Sequence, residues 1–176
     1  SFDQRGLKKM SMQVKICGMR DPENVREIAE LRPDMMGFIF YEPSSRYVSE
    51  SSLEEVLGFV PSHISKVAVF VNEKKEEVVR ICKKYGFDFA QLHGDESAAY
   101  CRNISEEGIG IIKAIPVADR IDFESLRSYE PYVHLFLFDT KIKGYGGSGK
   151  QFDRTLLDHY PLSTPYFLSG GIGEAD

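Results

Sequence analysis

The sequence predicts an α/β protein in which a parallel β-sheet alternates with covering helices. Three observations support this. Short, β-rich apolar runs recur about every 25 residues along the chain. The segments between them carry helical periodicity and helix-start signals. The apolar runs read as strands buried on both faces, as parallel sheets require. At 176 residues the chain holds one sizeable core and is too short for two ordinary domains.

The predicted strands are residues 14–18, 36–40, 67–71, 89–93, 110–115, 134–140 and 166–169. The first helix is announced by Asp21-Pro22-Glu23, a capping residue before a proline at the first helical position, with Val25, Ile28 and Ala29 following at helical spacing. Residues 73–85 carry Val78, Val79, Ile81 and Cys82 on one stripe, Lys and Glu opposite, and a stop at Gly86. Segments 51–60, 96–104, 121–129 and 152–160 complete the helical set. Two architectures satisfy this alternation, an open doubly wound sheet and a closed (β/α) barrel. In both, ligands bind at the C-terminal ends of the strands.

Composition removes several function classes. The net charge of −5 leaves no basic surplus for a nucleic-acid backbone. No apolar run reaches the roughly 18 residues of a membrane-spanning helix. Cys17, Cys82 and Cys101 are widely spaced, with no CxxC pair, which argues for a reducing compartment and against a disulfide framework or structural zinc. The four histidines are scattered, so no metal is expected. Residues 1–12 are polar and basic, without the apolar region of a signal peptide, and read as a leader or an expression remnant.

The strand ends hold the candidate chemistry. Lys15 and Cys17 share one side of the first strand, and a neighbouring ammonium favours a thiolate as base or nucleophile. A buried structural cysteine is the plain alternative; the strand-end position before Gly18 speaks for chemistry. The sixth strand runs apolar into Asp139. A carboxyl in such surroundings keeps its neutral form, which suits a general acid; the alternative is an aspartate capping the next turn. Arg46, after the second strand, offers a guanidinium for a carboxylate, against a surface salt bridge. Gln91 and His93 close the fourth strand facing the same way, as substrate contacts or as a hydrogen-bonded rim. Residues 144–150 match GxGxxG and miss the P-loop pattern by one residue, since Gln151 replaces the magnesium-binding hydroxyl. A glycine-rich active-site loop containing Gly146 and Gly147 is the better reading. Ser169-Gly170-Gly171 closes the seventh strand, where backbone N–H groups can approach an anion, against a plain tight turn.

Taken in chain order, these pieces resemble the phosphoribosylanthranilate isomerase family of tryptophan biosynthesis. The matching motifs are Lys15-Ile16-Cys17-Gly18, Gly37-Phe38-Ile39-Phe40 with Ser44-Ser45-Arg46-Tyr47, Val69-Phe70-Val71-Asn72 and Gln91-Leu92-His93-Gly94. Phe138-Asp139-Thr140, Gly146-Gly147-Ser148-Gly149-Lys150 with Phe152-Asp153, and Leu168-Ser169-Gly170-Gly171 continue the series. The resemblance implies a (β/α)8 TIM barrel that performs an Amadori rearrangement without cofactor. It implies Asp139 as the general acid that opens the ribose ring to a Schiff base, and Cys17 as the base that takes the C2′ proton. Arg46 then faces the anthranilate carboxylate, the Gly170-Gly171 turn takes the phosphate, and the loop at 144–150 closes over the substrate. The chain departs from the family in carrying Arg154 where a tryptophan is common. Against the family pattern the given residues stop before an eighth βα unit, so residues 13–176 are expected to form one C-terminally incomplete barrel domain; a chain truly ending at Asp176 is expected to be poorly active and prone to edge association, and a longer chain active.

Three other readings stand beside this one: another sugar-phosphate barrel enzyme, a catalytically dead phosphate-binding remnant, and a nucleotide-binding P-loop module. The expected setting is cytoplasmic, with the small-molecule substrate as partner, no nucleic acid or membrane, and a monomer or homodimer.

Overall fold

A computed structural model describes residues 12–117, 120–140 and 154–170. Seven strands form one sheet: β1 (Lys15–Cys17), β2 (Met35–Ile39), β3 (Ser65–Phe70), β4 (Phe89–Leu92), β5 (Gly110–Val117), β6 (Leu135–Thr140) and β7 (Tyr166–Ser169). Every neighbouring pair is parallel, and the spatial order is the chain order, β1 through β7. A doubly wound sheet would reverse its strand order at a switch point. This sheet never does, so that alternative falls.

Right-handed crossovers along an unreversed sheet place every helix on one face, and the buried side chains divide accordingly. One cluster joins the outward strand residues Met36, Phe38, Ala68, Phe70, Ala90, Leu92, Ile111, Phe136 and Phe138 to helix residues such as Val25, Leu53, Val78 and Ile104. The other contains strand residues alone: Met35, Ile39, Val67, Val69, Ile112, Ala114, Leu135 and Leu137, with Cys17, Phe89 and Phe167 against them. That second cluster draws on all seven strands. Among the described residues, Val67 and Ile112 are fully buried there with no helix residue over them, so the sheet curls over its own side chains and this set lies on its concave face.

The helices follow their sequence signals closely where those signals are strong. In α1 (Pro22–Glu30), Asp21 Oδ1 accepts the Asn24 N–H at 3.0 Å, ahead of proline at the helix start. α2 spans Glu50–Gly58. α3 (Lys75–Tyr85) ends at Gly86 with φ +65°, a left-handed cap that glycine adopts without Cβ strain. In α4 (Ala98–Ser105), Ser97 Oγ accepts the Tyr100 N–H at 3.2 Å.

Two predicted helices are corrected. Segment 121–129 forms only α5 (Phe123–Leu126). Beyond it the chain continues in tight i→i−3 turns: Arg127 N–H to Glu124 O, Tyr129 N–H to Leu126 O, Tyr132 N–H to Tyr129 O. The hydroxyls of Ser125 and Ser128 donate to the carbonyls three residues back, at 2.9 and 3.0 Å, and compete with the α-helical ladder. Segment 152–160 is represented by a 3₁₀ turn, Arg154–Leu157, followed by a Tyr160 N–H to Leu157 O bond. Pro161 restricts the residue before it and stops any helix there. Among the described residues, no helix is long and apolar enough to cross a membrane.

Candidate active site

Register converts the alternation of each strand into a shared face. Lys15 pairs with Met35 and Cys17 with Gly37, and Met35 lies in the concave cluster. Lys15 and Cys17 therefore both project to the concave side. Leu137 lies in the same cluster, and Asp139 two residues on, paired with Ser169, joins that face near the C-terminal edge. Gln91, between Val69 and Ile112 in register, belongs to it as well. Lys15, Cys17, Gln91 and Asp139 thus share the concave face.

Gly37 is what lets Lys15 and Cys17 approach. A Cβ at residue 37 would lie 2.8 Å from Cys17 Sγ and 3.1 Å from Lys15 Nζ. Sequence reasoning counted Gly37 only as part of a motif; a glycine interrupting an apolar strand was the available signal of close packing. Cys17 is half-buried, whereas Cys82 and Cys101 are buried, with thiols pushed up to about 12 and about 11 by desolvation. Of the three thiols, only Cys17 is placed to react.

Arg46 crosses from the β2–α2 connection to the end of β1. It lies over Gly18, where a Cβ would sit 2.6 Å from Arg46 Cδ, and its Nη1 donates to Cys17 O at 3.4 Å. Gly18 has φ +93°, so both its space and its backbone call for glycine. Arg20 Nη1 donates in return to Ser45 O, tying the β1 and β2 loops together.

The Asp139 environment overturns one expectation. His93 Nε2 lies 3.3 Å from Asp139 Oδ2. The His93 hydrogen bond, assisted by Ser169 and by the Arg46 charge, holds this carboxyl below the usual aspartate range despite burial. An apolar strand suggested a neutral acid; partners from three other parts of the fold favour the carboxylate instead.

Beneath this rim sits a device the sequence reading missed. Lys113, on the helix-facing side of β5, donates from Nζ to Glu96 Oε2 at 3.0 Å and to the carbonyls of Leu92, Gly94 and Ala114 at 2.7–3.0 Å. Glu96 in turn accepts the N–H groups of Asn72 and Gly94. The pair fastens the turn carrying His93 to β5 and to the end of β3. Gly94 allows this, since a Cβ there would lie 2.9 Å from the Asn72 backbone nitrogen. A lysine inside the apolar run 110–115 was the signal in the sequence.

β7 ends at Ser169, and Gly170 follows it with φ +86°. Gly146, Gly147 and Gly171 lie outside the described residues, as do the rest of the loop at 144–150 and the side chain of Arg154. Among the described residues, no group of three or more His, Cys, Asp or Glu is placed to hold a metal ion.

Residues 14–175 match the family model described as N-(5'phosphoribosyl)anthranilate (PRA) isomerase. The N-(5'-phosphoribosyl)anthranilate isomerase of Parabacteroides distasonis is 46% identical over 162 residues, which cover 92% of this chain and 73% of that protein. The crystal structure of phosphoribosyl anthranilate isomerase from Thermotoga maritima superposes with a TM-score of 0.78 at 31% identity, over 93% of this chain and 90% of that one. A phosphoribosyl anthranilate isomerase in complex with reduced 1-(o-carboxyphenylamino)-1-deoxyribulose 5-phosphate is similar at a TM-score of 0.64 and 25% identity, over 93% and 90% of the two chains.

Proposed function

The chain belongs to the N-(5'-phosphoribosyl)anthranilate isomerase family, and on that premise we propose how its residues divide the chemistry of the rearrangement. It is an isomerase of tryptophan biosynthesis. Asp139, protonated, gives its proton to the ribose ring oxygen; the C1′–O bond breaks and the nitrogen lone pair closes a C1′=N Schiff base. The Cys17 thiolate takes the C2′ proton, and the released electron pair forms the enolamine. Tautomerisation to the C2′ ketone then returns protons to carbon and to the catalytic groups. One observation carries the assignment: Cys17, beside Lys15, and Asp139, beside His93, project from β1 and β6 onto the same concave rim.

The ionised state of free Asp139 bears on the first step. A substrate bringing a phosphate and a carboxylate adds negative potential, which favours a proton on a nearby carboxyl. The acid is therefore loaded in the presence of substrate, and His93 is the group next to it. Arg46 takes the anthranilate carboxylate, and the turn at Ser169-Gly170-Gly171 takes the phosphate. The likeness to the Thermotoga maritima structure and the concave cluster support reading the sheet as seven units of a (β/α)8 barrel, one domain from residue 13 on.

Mixing the protein with phosphoribosylanthranilate and following the decay of anthranilate-type fluorescence tests the reading. A flat trace from folded protein would remove it. Two variants probe the binding and activation roles. Arg46→Ala should raise KM at least about 30-fold, corresponding to about 2–5 kcal/mol for a charge-assisted contact left unpaired; an unchanged KM would return Arg46 to the surface. Lys15→Met should slow alkylation of Cys17 by anionic iodoacetate relative to neutral iodoacetamide, because the cation that draws an anion to Sγ is lost. An unchanged ratio of the two rates would show that Lys15 does not act at the thiol.

A further inference from the structure

One polar atom buried on the concave face has no hydrogen-bond partner among the described residues: Gln91 Oε1. Gln91 is 2% exposed, so the atom is shielded from bulk solvent. The other end of the same amide, Nε2, lies 2.8 Å from His93 Nδ1. An amide nitrogen only donates, so Nδ1 must be a bare acceptor and the ring's single proton sits on Nε2, facing Asp139 Oδ2 at 3.3 Å. The amide orientation thus specifies a proton count: one on the imidazole, none on the carboxylate.

Adding one proton between the ring and Oδ2 changes the requirement. If the imidazole keeps both protons, Nδ1 carries hydrogen. If Asp139 takes the proton on Oδ2, it donates to Nε2, and the ring's own proton moves to Nδ1. In both cases Nδ1–H meets the Gln91 NH₂ donor to donor. A half-turn of the amide resolves this clash, because its oxygen and nitrogen are nearly equal in size. Oε1 then accepts from Nδ1–H, and the NH₂ group takes the position that Oε1 held.

We propose that Gln91 is a positioning residue whose two amide orientations hold the His93–Asp139 pair in its unloaded and proton-loaded forms. The loaded form is the one that opens the ribose ring, so the proposal rests on the reading of Asp139 as the acid. Other groups face the pair. Ser169 on β7 bonds Asp139, and the Arg46 charge acts on it from the β2–α2 loop; both favour the unloaded form. Cys17 and Lys15 on β1 share the concave face. Lys113 and Glu96 lie behind the sheet and act on the turn rather than on the pair. Gln91 is the neighbour whose preference reverses with a half-turn.

Two measurements test this. Nitrogen-15 NMR of the His93 ring in the intact wild-type protein should show the Nε2–H tautomer at high pH. Nδ1 should gain hydrogen when a product analogue carrying phosphate and carboxylate loads the pair. A ring that is Nδ1–H in the free protein, or whose Nδ1 stays bare with the analogue bound, would overturn the proposal while leaving Asp139 as the acid. The second measurement is the pH profile of kcat/KM, where loss of the acid's proton sets the alkaline limb. Gln91→Met removes the donor of the unloaded form and the acceptor of the loaded form together, so it should lower kcat/KM with little movement of that limb. Gln91→Glu supplies a permanent acceptor and should move the limb up by about one pH unit, a tenfold change in proton affinity. A change in KM with no movement of the limb in Gln91→Glu would make Gln91 a substrate contact only, and the switch would fall. Full activity in Asp139→Asn would instead sink the acid assignment, a result separable from the tautomer data.

Discussion

Asp139→Asn and Cys17→Ala should each lower kcat by about 10²–10⁴-fold while leaving the affinity for a product analogue almost unchanged. Asparagine keeps the shape of the aspartate but cannot deliver a proton to the ring oxygen. Alanine at 17 leaves C2′ without a base. Both functions act only as the transition state forms, so the loss belongs in kcat rather than in binding. Removing both groups together should cost little more than removing the worse one, since ring opening and proton abstraction serve one sequence of steps. Stopped-flow fluorescence with saturating substrate, beside calorimetric titration of the analogue, separates the two quantities. Retention of more than a few per cent of wild-type kcat by either variant would show that its residue has been given the wrong role.

The second large effect concerns stability. Lys113→Met should lower the unfolding free energy by about 3–5 kcal/mol, because it strands the Glu96 carboxylate without its counter-charge. The Lys113 and Glu96 side chains are only 4% and 2% exposed, so water cannot replace the lost partner. Against a typical total of about 5–15 kcal/mol, such a loss brings the protein close to its unfolding threshold. Combining it with Glu96→Gln removes the buried charge, keeps an acceptor for the Asn72 and Gly94 N–H groups, and should recover part of the deficit. Urea denaturation of the single and double variants checks both statements. A single-variant loss below about 1 kcal/mol would mean that the turn has another anchor. Because the pair fastens the turn beside His93, the surviving folded fraction of Lys113→Met should also show reduced kcat.

The Asp139 result shows how an environment can be misread from a strand. Its nearest neighbours in sequence, Phe136, Leu137 and Phe138, are buried and apolar, and they predict a neutral carboxyl. The groups that set its charge are His93, Ser169 and Arg46, and His93 alone is 46 residues away along the chain. On the proposed reading Asp139 still supplies the proton to the ring oxygen, and that proton arrives with substrate instead of being held in advance.

Much of the fold was legible in the sequence because strands and strong helices are local phenomena. Apolar runs, a period of two along each strand and the Asp21 and Gly86 caps depend on residues a few positions apart. For the same reason the shared side of Lys15 and Cys17 was legible, as was the set of motifs that marks the family. Other features were decided only when the chain folded. The sheet's unreversed order and curl chose between the two architectures, since that choice depends on where crossovers land. Packing and serine back-bonding cut the helix at 121–129 to four residues. Gly37 as the floor beneath Cys17, the Lys113–Glu96 anchor and the Gln91–His93–Asp139 chain all join residues on different strands or loops. Side chains on neighbouring strands meet across about 5 Å of sheet whatever their separation in sequence, and charge, hydrogen bonding and close packing act only across that distance.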